Sequence, residues 1–148
     1  MITDSPKQTQ KIAELLVKTL IKTQNHPTIF CLQGNLGAGK TTFIQGIAKA
    51  LKIKEKITSP TFVLMKKFHI NDKLPFSKLF HFDCYRFDKP KEILVLGFKE
   101  IIKNPKNLVF IEWPEKIKKF IPKNTIWINF KVVGKNKREI VISLKLKV

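Results

Sequence analysis

Arginine is almost missing from this 148-residue chain: Arg86 and Arg138 are its two arginines among 29 basic residues, set against 11 acidic ones for a formal charge of +18. So few planar guanidinium forks count against any site that must grip a phosphoryl group from several sides at once. Cysteine is scarce as well. Cys31 and Cys84 have no C-x-x-C spacing and fall within predicted strands, which excludes a disulfide framework and makes them small apolar core residues. No apolar run approaches the length of a membrane span, and the opening Met1-Ile2-Thr3-Asp4 lacks a signal-peptide pattern, so the expectation is a soluble, cytoplasmic protein. Internal repeats and low-complexity segments are also missing. The length suits one domain, residues 1–148, able to bury a sizeable core without staples.

What the chain has in excess is lysine. A charge of +18 invites a nucleic-acid reading through phosphate neutralisation. The lysines are spread along every segment, however, and heavy Lys, Ile, Asn and Phe usage is also what an A/T-biased coding sequence gives. A solvated lysine surface accounts for the pattern. Weak contact with RNA or with an acidic protein stays open beside it.

The most informative stretch is Gly34-Asn35-Leu36-Gly37-Ala38-Gly39-Lys40-Thr41, followed by Thr42. It fits G-x-x-x-x-G-K-[ST], and its flanks supply the required context. Residues 28–32 form a β-branched and aromatic run that reads as a buried strand, while Phe43, Ile44, Ile47, Ala48 and Leu51 recur at helical spacing over 42–51. Glycine at 34, 37 and 39 lets successive N–H groups approach an anion at a helix N-terminus. In such a loop Lys40 bridges the β- and γ-phosphates and the Thr41 hydroxyl holds Mg²⁺.

Upstream, Ser5, Pro6 and Gln8 make a capping box, and the spacing of Ile12, Leu15, Leu16, Thr19 and Leu20 predicts an amphipathic helix over 6–23, ended by Asn25-His26-Pro27. Downstream, 52–56 is a polar connection. Pro60 sets Ser59 and Thr61 at the entrance of a strand over 61–68, where two hydroxyls could meet a γ-phosphate, its Mg²⁺ or an attacking water; a plain turn is the other reading. Residues 71–77, with Pro75, look like a hairpin loop. The return strand, over 79–87, puts Phe80, Phe82 and Cys84 on one face and His81, Asp83 and Tyr85 on the other. Three polar side chains on one face of an apolar strand are costly to bury without partners, and a phosphate or metal site with Asp83 as a direct or water-mediated ligand would supply them. Otherwise the face meets solvent.

Residues 90–103 read as short helical turns broken at Gly97. Leu108-Val109-Phe110-Ile111-Glu112 then reads as a central strand that delivers a carboxylate to its C-terminal edge, where open α/β sheets bind ligands. Glu112 could hold Mg²⁺ or orient a water. Trp113 beside it could stack on a base or a partner, or fill the core. The tail alternates Ile126, Ile128, Phe130 and Val132, then Ile140, Ile142, Leu144 and Leu146, around Gly134-Lys135-Asn136-Lys137, as an antiparallel hairpin that extends the sheet. The expected fold is α/β: a P-loop NTPase-like three-layer sandwich with a mixed parallel/antiparallel sheet and helices on both faces.

Taken in order, the glycine loop 34–42, Ser59-Pro60-Thr61-Phe62, His81-Phe82-Asp83-Cys84-Tyr85-Arg86 and Ile111-Glu112-Trp113-Pro114 resemble the bacterial TsaE (YjeE) family, over about Thr9 to Arg138. The resemblance implies a small Mg-dependent ATPase, with ATP and Mg²⁺ as ligands, serving threonylcarbamoyladenosine formation on tRNA. It also implies a complex of TsaD and TsaB as partner, with hydrolysis slow in the isolated chain and the transfer reaction left to those partners. By resemblance, Gly37, Ala38, Gly39, Lys40, Thr41 and Thr42 bind phosphates, and Thr41 with Glu112 holds Mg²⁺. Asp83 supports the metal or the water. Ser59 and Thr61 form a switch segment, and Thr9 and Arg138 approach the nucleotide from the periphery. Asn35 departs from the family's usual Asp, which leaves the phosphate-binding positions intact.

Two other readings compete. A small-molecule or nucleotide kinase on the same fold needs an arginine-rich lid that this chain lacks. A basic RNA-binding module would display its aromatics on a platform, whereas here they alternate into apolar strand faces. The lack of N-K-x-D and D-x-x-G motifs argues against a GTPase.

Overall fold

The computed structural model describes residues 1–22, 28–60 and 62–145. In chain order the elements are β1 (Ile2–Thr3), α1 (Pro6–Lys22), β2 (Ile29–Gln33), α2 (Lys40–Ala50), β3 (Met65–His69) and β4 (Lys78–Asp83). They continue with α3 (Glu92–Val95), α4 (Phe98–Lys103), β5 (Asn107–Glu112), a kinked 3₁₀ segment (Pro114–Phe120), β6 (Thr125–Val132) and β7 (Arg138–Lys145).

Alternation along the strands produces three layers. Phe30 and Leu32 of β2, Leu108 and Phe110 of β5, and Ile126, Ile128 and Phe130 of β6 face one side, where Ala13 and Val17 of α1 and Phe43, Ile44 and Ile47 of α2 cover them. Ile29, Cys31, Val109, Ile111 and Trp127 face the other side, with Ile93 of α3, Phe98 of α4 and Ile117 of the 3₁₀ segment. Helices therefore lie on both faces, as the sequence predicts. The sheet runs β1-β7-β6-β2-β5-β4-β3. Its centre, β6-β2-β5-β4, is parallel, and antiparallel pairs close both sides. Connections leave β2 first toward β4 and β5 and later toward β6, so β2 is the switch point, and the glycine loop emerges from its C-terminal end.

The capping box forms at α1: Ser5 Oγ accepts from Gln8 N at 3.2 Å, and Gln8 Oε1 accepts from Asp4 N at 2.6 Å. Gly97, at φ 78°, separates α3 from α4. Several bounds differ from expectation. The strand predicted over 61–68 begins only at Met65, because Pro60 O accepts from Val63 N and Leu64 N, and Leu64 adopts φ 66°. A turn thus replaces its first half. The strand predicted over 79–87 ends at Asp83, where Asp83 Oδ1 accepts from Tyr85 N at 2.9 Å and Cys84 O accepts from Phe87 N, bending the chain away. The C-terminal hairpin forms and extends the sheet as expected, with β6 added parallel beside β2 and β7 antiparallel beyond it. Strand β1 was not anticipated; it pairs with β7. Thr61, Asn25-His26-Pro27 and Leu146 lie outside the described residues.

Candidate functional site

The glycine loop is held from below by the C-terminal hairpin. At Gly34, φ is 153°, and a Cβ would stand 2.7 Å from the Phe130 carbonyl oxygen, so β6 backbone closes against the loop where only glycine fits. Gly39, at φ 109°, caps the N-terminus of α2 without a side-chain bond. Arg138 donates to the Gly134 and Lys137 carbonyls at 3.3 and 3.0 Å and to the Gly37 carbonyl at 3.2 Å, tying β7 to the loop crest. Phe130 also meets Phe43 of α2 edge-on at 5.5 Å. The hairpin is thus a brace for the glycine loop as well as a sheet extension.

Above the loop lies a cavity of about 370 Å³. Gly37, Ala38 and Gly39, then Lys40, Thr41 and Thr42, form its floor. Ser59, Asp83, Glu112 and Trp113 line it as well, together with Thr9 and Arg138. Every described residue singled out from the sequence as a site residue therefore meets in this one space. Ser5, Pro6, Leu36, Tyr85 and Asn136 line it too. Each lies in a stretch that the sequence marks (the capping box, the glycine loop, the 81–86 strand and the 134–137 turn), but none is read there as a site residue.

Two buried carboxylates stand side by side because β4 and β5 are parallel and in register, pairing Asp83 with Glu112. Both are nearly inaccessible, at 2% and 3% exposure. Like charges on adjacent strands need a compensating cation or donors. Thr41 Oγ1 donates to Glu112 Oε1 at 3.1 Å, and Ser59 Oγ donates to Asp83 Oδ2 at 2.9 Å. The Lys40 ammonium donates to the carbonyls of Gly34 and Asn35 (3.2 Å for Asn35) and lies 4.5 Å from the Trp113 ring centre. Burial lowers its pKa, while Glu112, Asp83 and Glu115 pull it back up.

The polar face predicted for β4 is buried, not solvent-facing, as far as Asp83; Tyr85, beyond the strand end, is 42% exposed and meets Trp113 at a tilted 52°, with ring centres 4.9 Å apart. Trp113 holds a left-handed conformation at φ 58°, and its half-buried ring forms cavity wall. Arg86 turns elsewhere, with its guanidinium 4.4 Å from the Phe62 ring centre. Cys84 is buried and unpaired by disulfide; burial, reinforced by Asp83, Glu115 and Glu112, pushes its thiol pKa up, which suits an inert core residue.

The donors facing the cavity beside Glu112 and Asp83 are all oxygens, with the Thr41 hydroxyl between loop and sheet, which is the chemistry a hard cation such as Mg²⁺ takes. Among the described residues no three His, Cys, Asp or Glu side chains form a closed cage.

The family model for threonylcarbamoyl adenosine biosynthesis protein TsaE matches residues 3–140. The chain is 39% identical over 136 residues to the tRNA threonylcarbamoyladenosine biosynthesis protein TsaE of Rickettsia prowazekii, covering 91% of this chain and 88% of that protein. It is 33% identical over 141 residues to the Bacillus subtilis protein of that name, covering 95% and 82%. The crystal structure of YdiB from Bacillus subtilis superposes with a TM-score of 0.75 at 29% identity, over 98% of this chain and 84% of that one. With a family match over nearly its whole length and relatives of this similarity, the chain belongs to the TsaE family.

Proposed function

We propose that the chain binds ATP with Mg²⁺ in the cavity over the glycine loop and hydrolyses it in support of threonylcarbamoyladenosine formation on tRNA. The observation that carries this reading is the Thr41 hydroxyl 3.1 Å from Glu112, beside Asp83 and above Lys40, at the N-terminus of α2. First-turn amides lack acceptors within the helix and favour an anion, so the loop and α2 would take the phosphates. Lys40 would exchange the Gly34 and Asn35 carbonyls for phosphate oxygens. Thr41, Glu112 and Asp83 would hold Mg²⁺, which, when bound, neutralises charge on the reacting phosphates. Ser59, joined to Asp83, stands where it would respond to the terminal phosphate or its water, and Thr61 is proposed for the same segment. Trp113 and Tyr85 offer stacking surface, and Thr9 and Arg138 would meet the nucleotide from the rim.

A complex of TsaD and TsaB is the proposed partner, with turnover slow in the isolated chain. The lysine-rich surface suits weak or indirect contact with tRNA in that assembly. A kinase reading has less support, since Arg138 alone of the two arginines lines the cavity and its guanidinium is already occupied by loop carbonyls. The test is phosphate release from ATP with and without Mg²⁺. Slow Mg²⁺-dependent release by the parent chain is expected, and Lys40→Ala should bind ATP at least about 10-fold more weakly, the loss of a charge-assisted bond. ATP binding unchanged in Lys40→Ala would remove the loop from the mechanism.

A further inference from the structure

His81 sits on the same face of β4 as Asp83, two residues earlier, and is completely buried. Neither ring nitrogen has a hydrogen-bond partner among the described residues. Buried imidazoles ordinarily satisfy at least one nitrogen, because an unpaired polar atom forfeits its hydration without return. The fold could have placed an apolar residue there: its neighbours along the strand, Leu79, Phe80 and Phe82, all go into the core. Yet the ring does have one polar neighbour. His81 Nε2 lies 3.7 Å from Glu112 Oε1, the same oxygen that accepts from Thr41 Oγ1. That separation is just beyond a hydrogen bond, and a movement of under about 1 Å would make one.

We propose that His81 is a positioning residue for Glu112: its Nε2–H closes onto Oε1 when the carboxylate takes up Mg²⁺ with the nucleotide, fixing the carboxylate's orientation. With His81 Nε2–H and the Thr41 hydroxyl both engaging Oε1, Oε2 is left for the ion. The unsatisfied imidazole is then a cost of the ligand-free fold that the loaded site recovers. This inference rests on the reading of Glu112 as a magnesium-side carboxylate.

The experiment compares His81→Leu, His81→Gln and His81→Asn in the full chain. Each is followed by thermal unfolding with non-hydrolysable ATP analogue across a Mg²⁺ titration, and by phosphate release. His81→Leu removes the orphaned nitrogens and should melt at or above the parent's temperature without ligand, by roughly 2 to 4 °C. It should nonetheless need about 10- to 100-fold more Mg²⁺ for half-maximal nucleotide stabilisation, the usual scale for loss of a ligand's supporting hydrogen bond. Glutamine can place an amide N–H near the position of Nε2, whereas asparagine reaches only that of Nδ1. His81→Gln should therefore return most of the Mg²⁺ affinity and His81→Asn little. Parental Mg²⁺ dependence in His81→Leu, or equal behaviour of the glutamine and asparagine variants, overturns the proposal and leaves His81 as packing. If the parent itself shows no Mg²⁺-dependent nucleotide binding, the reading of the site fails, and the role of His81 with it.

Discussion

Lys40 is an ammonium placed in a buried position, at 6% exposure, satisfied by loop carbonyls and the Trp113 face. Burial is the largest influence on it and holds its pKa below the ordinary lysine value. Between the folded pKa and the ordinary one, the unfolded chain binds more protons, so stability rises with pH across that window. The penalty is full below the folded pKa and fades as the ammonium deprotonates. Lys40→Met keeps the stem and has no such proton to lose. The stability of the parent relative to Lys40→Met is therefore predicted to increase as pH rises toward the ordinary lysine value of about 10.4, measured by urea unfolding at each pH. A difference that stays flat or falls would contradict the assigned burial.

Helices α1 and α2 approach so closely that one glycine decides their contact. A Cβ at Gly46 would lie 2.5 Å from the Gln10 carbonyl oxygen, 2.7 Å from Gln10 Cα and 2.9 Å from Ala13 Cβ. Helix propensity favours alanine at such an interior position by about 1 kcal/mol. Backbone atoms cannot rotate aside, however, so overpacking should dominate, and Gly46→Ala is predicted to destabilise the chain by about 1–3 kcal/mol in chemical denaturation. A stabilised Gly46→Ala would show that the helices have room to part. The element level is also where sequence and structure diverge. Periodicity identified α1 and α2, and the strand-loop-helix order located the phosphate loop, because those signals are local. The late start of β3 at Met65 follows from a turn closed on the Pro60 carbonyl, and the end of β4 from the Asp83 side chain accepting from Tyr85 N. Each is a side-chain or carbonyl choice that strand alternation does not encode.

At the scale of the whole molecule, the sheet order turns separate sequence signals into one site. Asp83 and Glu112 are 29 residues apart, and both could be marked as candidate acids, but only the parallel β4–β5 register sets them side by side. The alternation that grouped His81 with Asp83 could not show that its nitrogens would be buried unpaired near Glu112. Nor could local patterning show that β6 runs parallel beside β2, with Phe130 backbone against Gly34 and Arg138 against Gly37. A hairpin legible as a sheet extension also braces the glycine loop. The charge of +18 surrounds this site without being part of its logic: the cavity's own cations are Lys40 and Arg138.

The central claim is a phosphate-loop site whose turnover is driven by a partner. Its most direct test is phosphate release from MgATP by the chain alone and with purified TsaD and TsaB. The account predicts slow release alone and several-fold faster release with the complex. Equal rates in both, with rapid phosphorylation of a free metabolite, would contradict it.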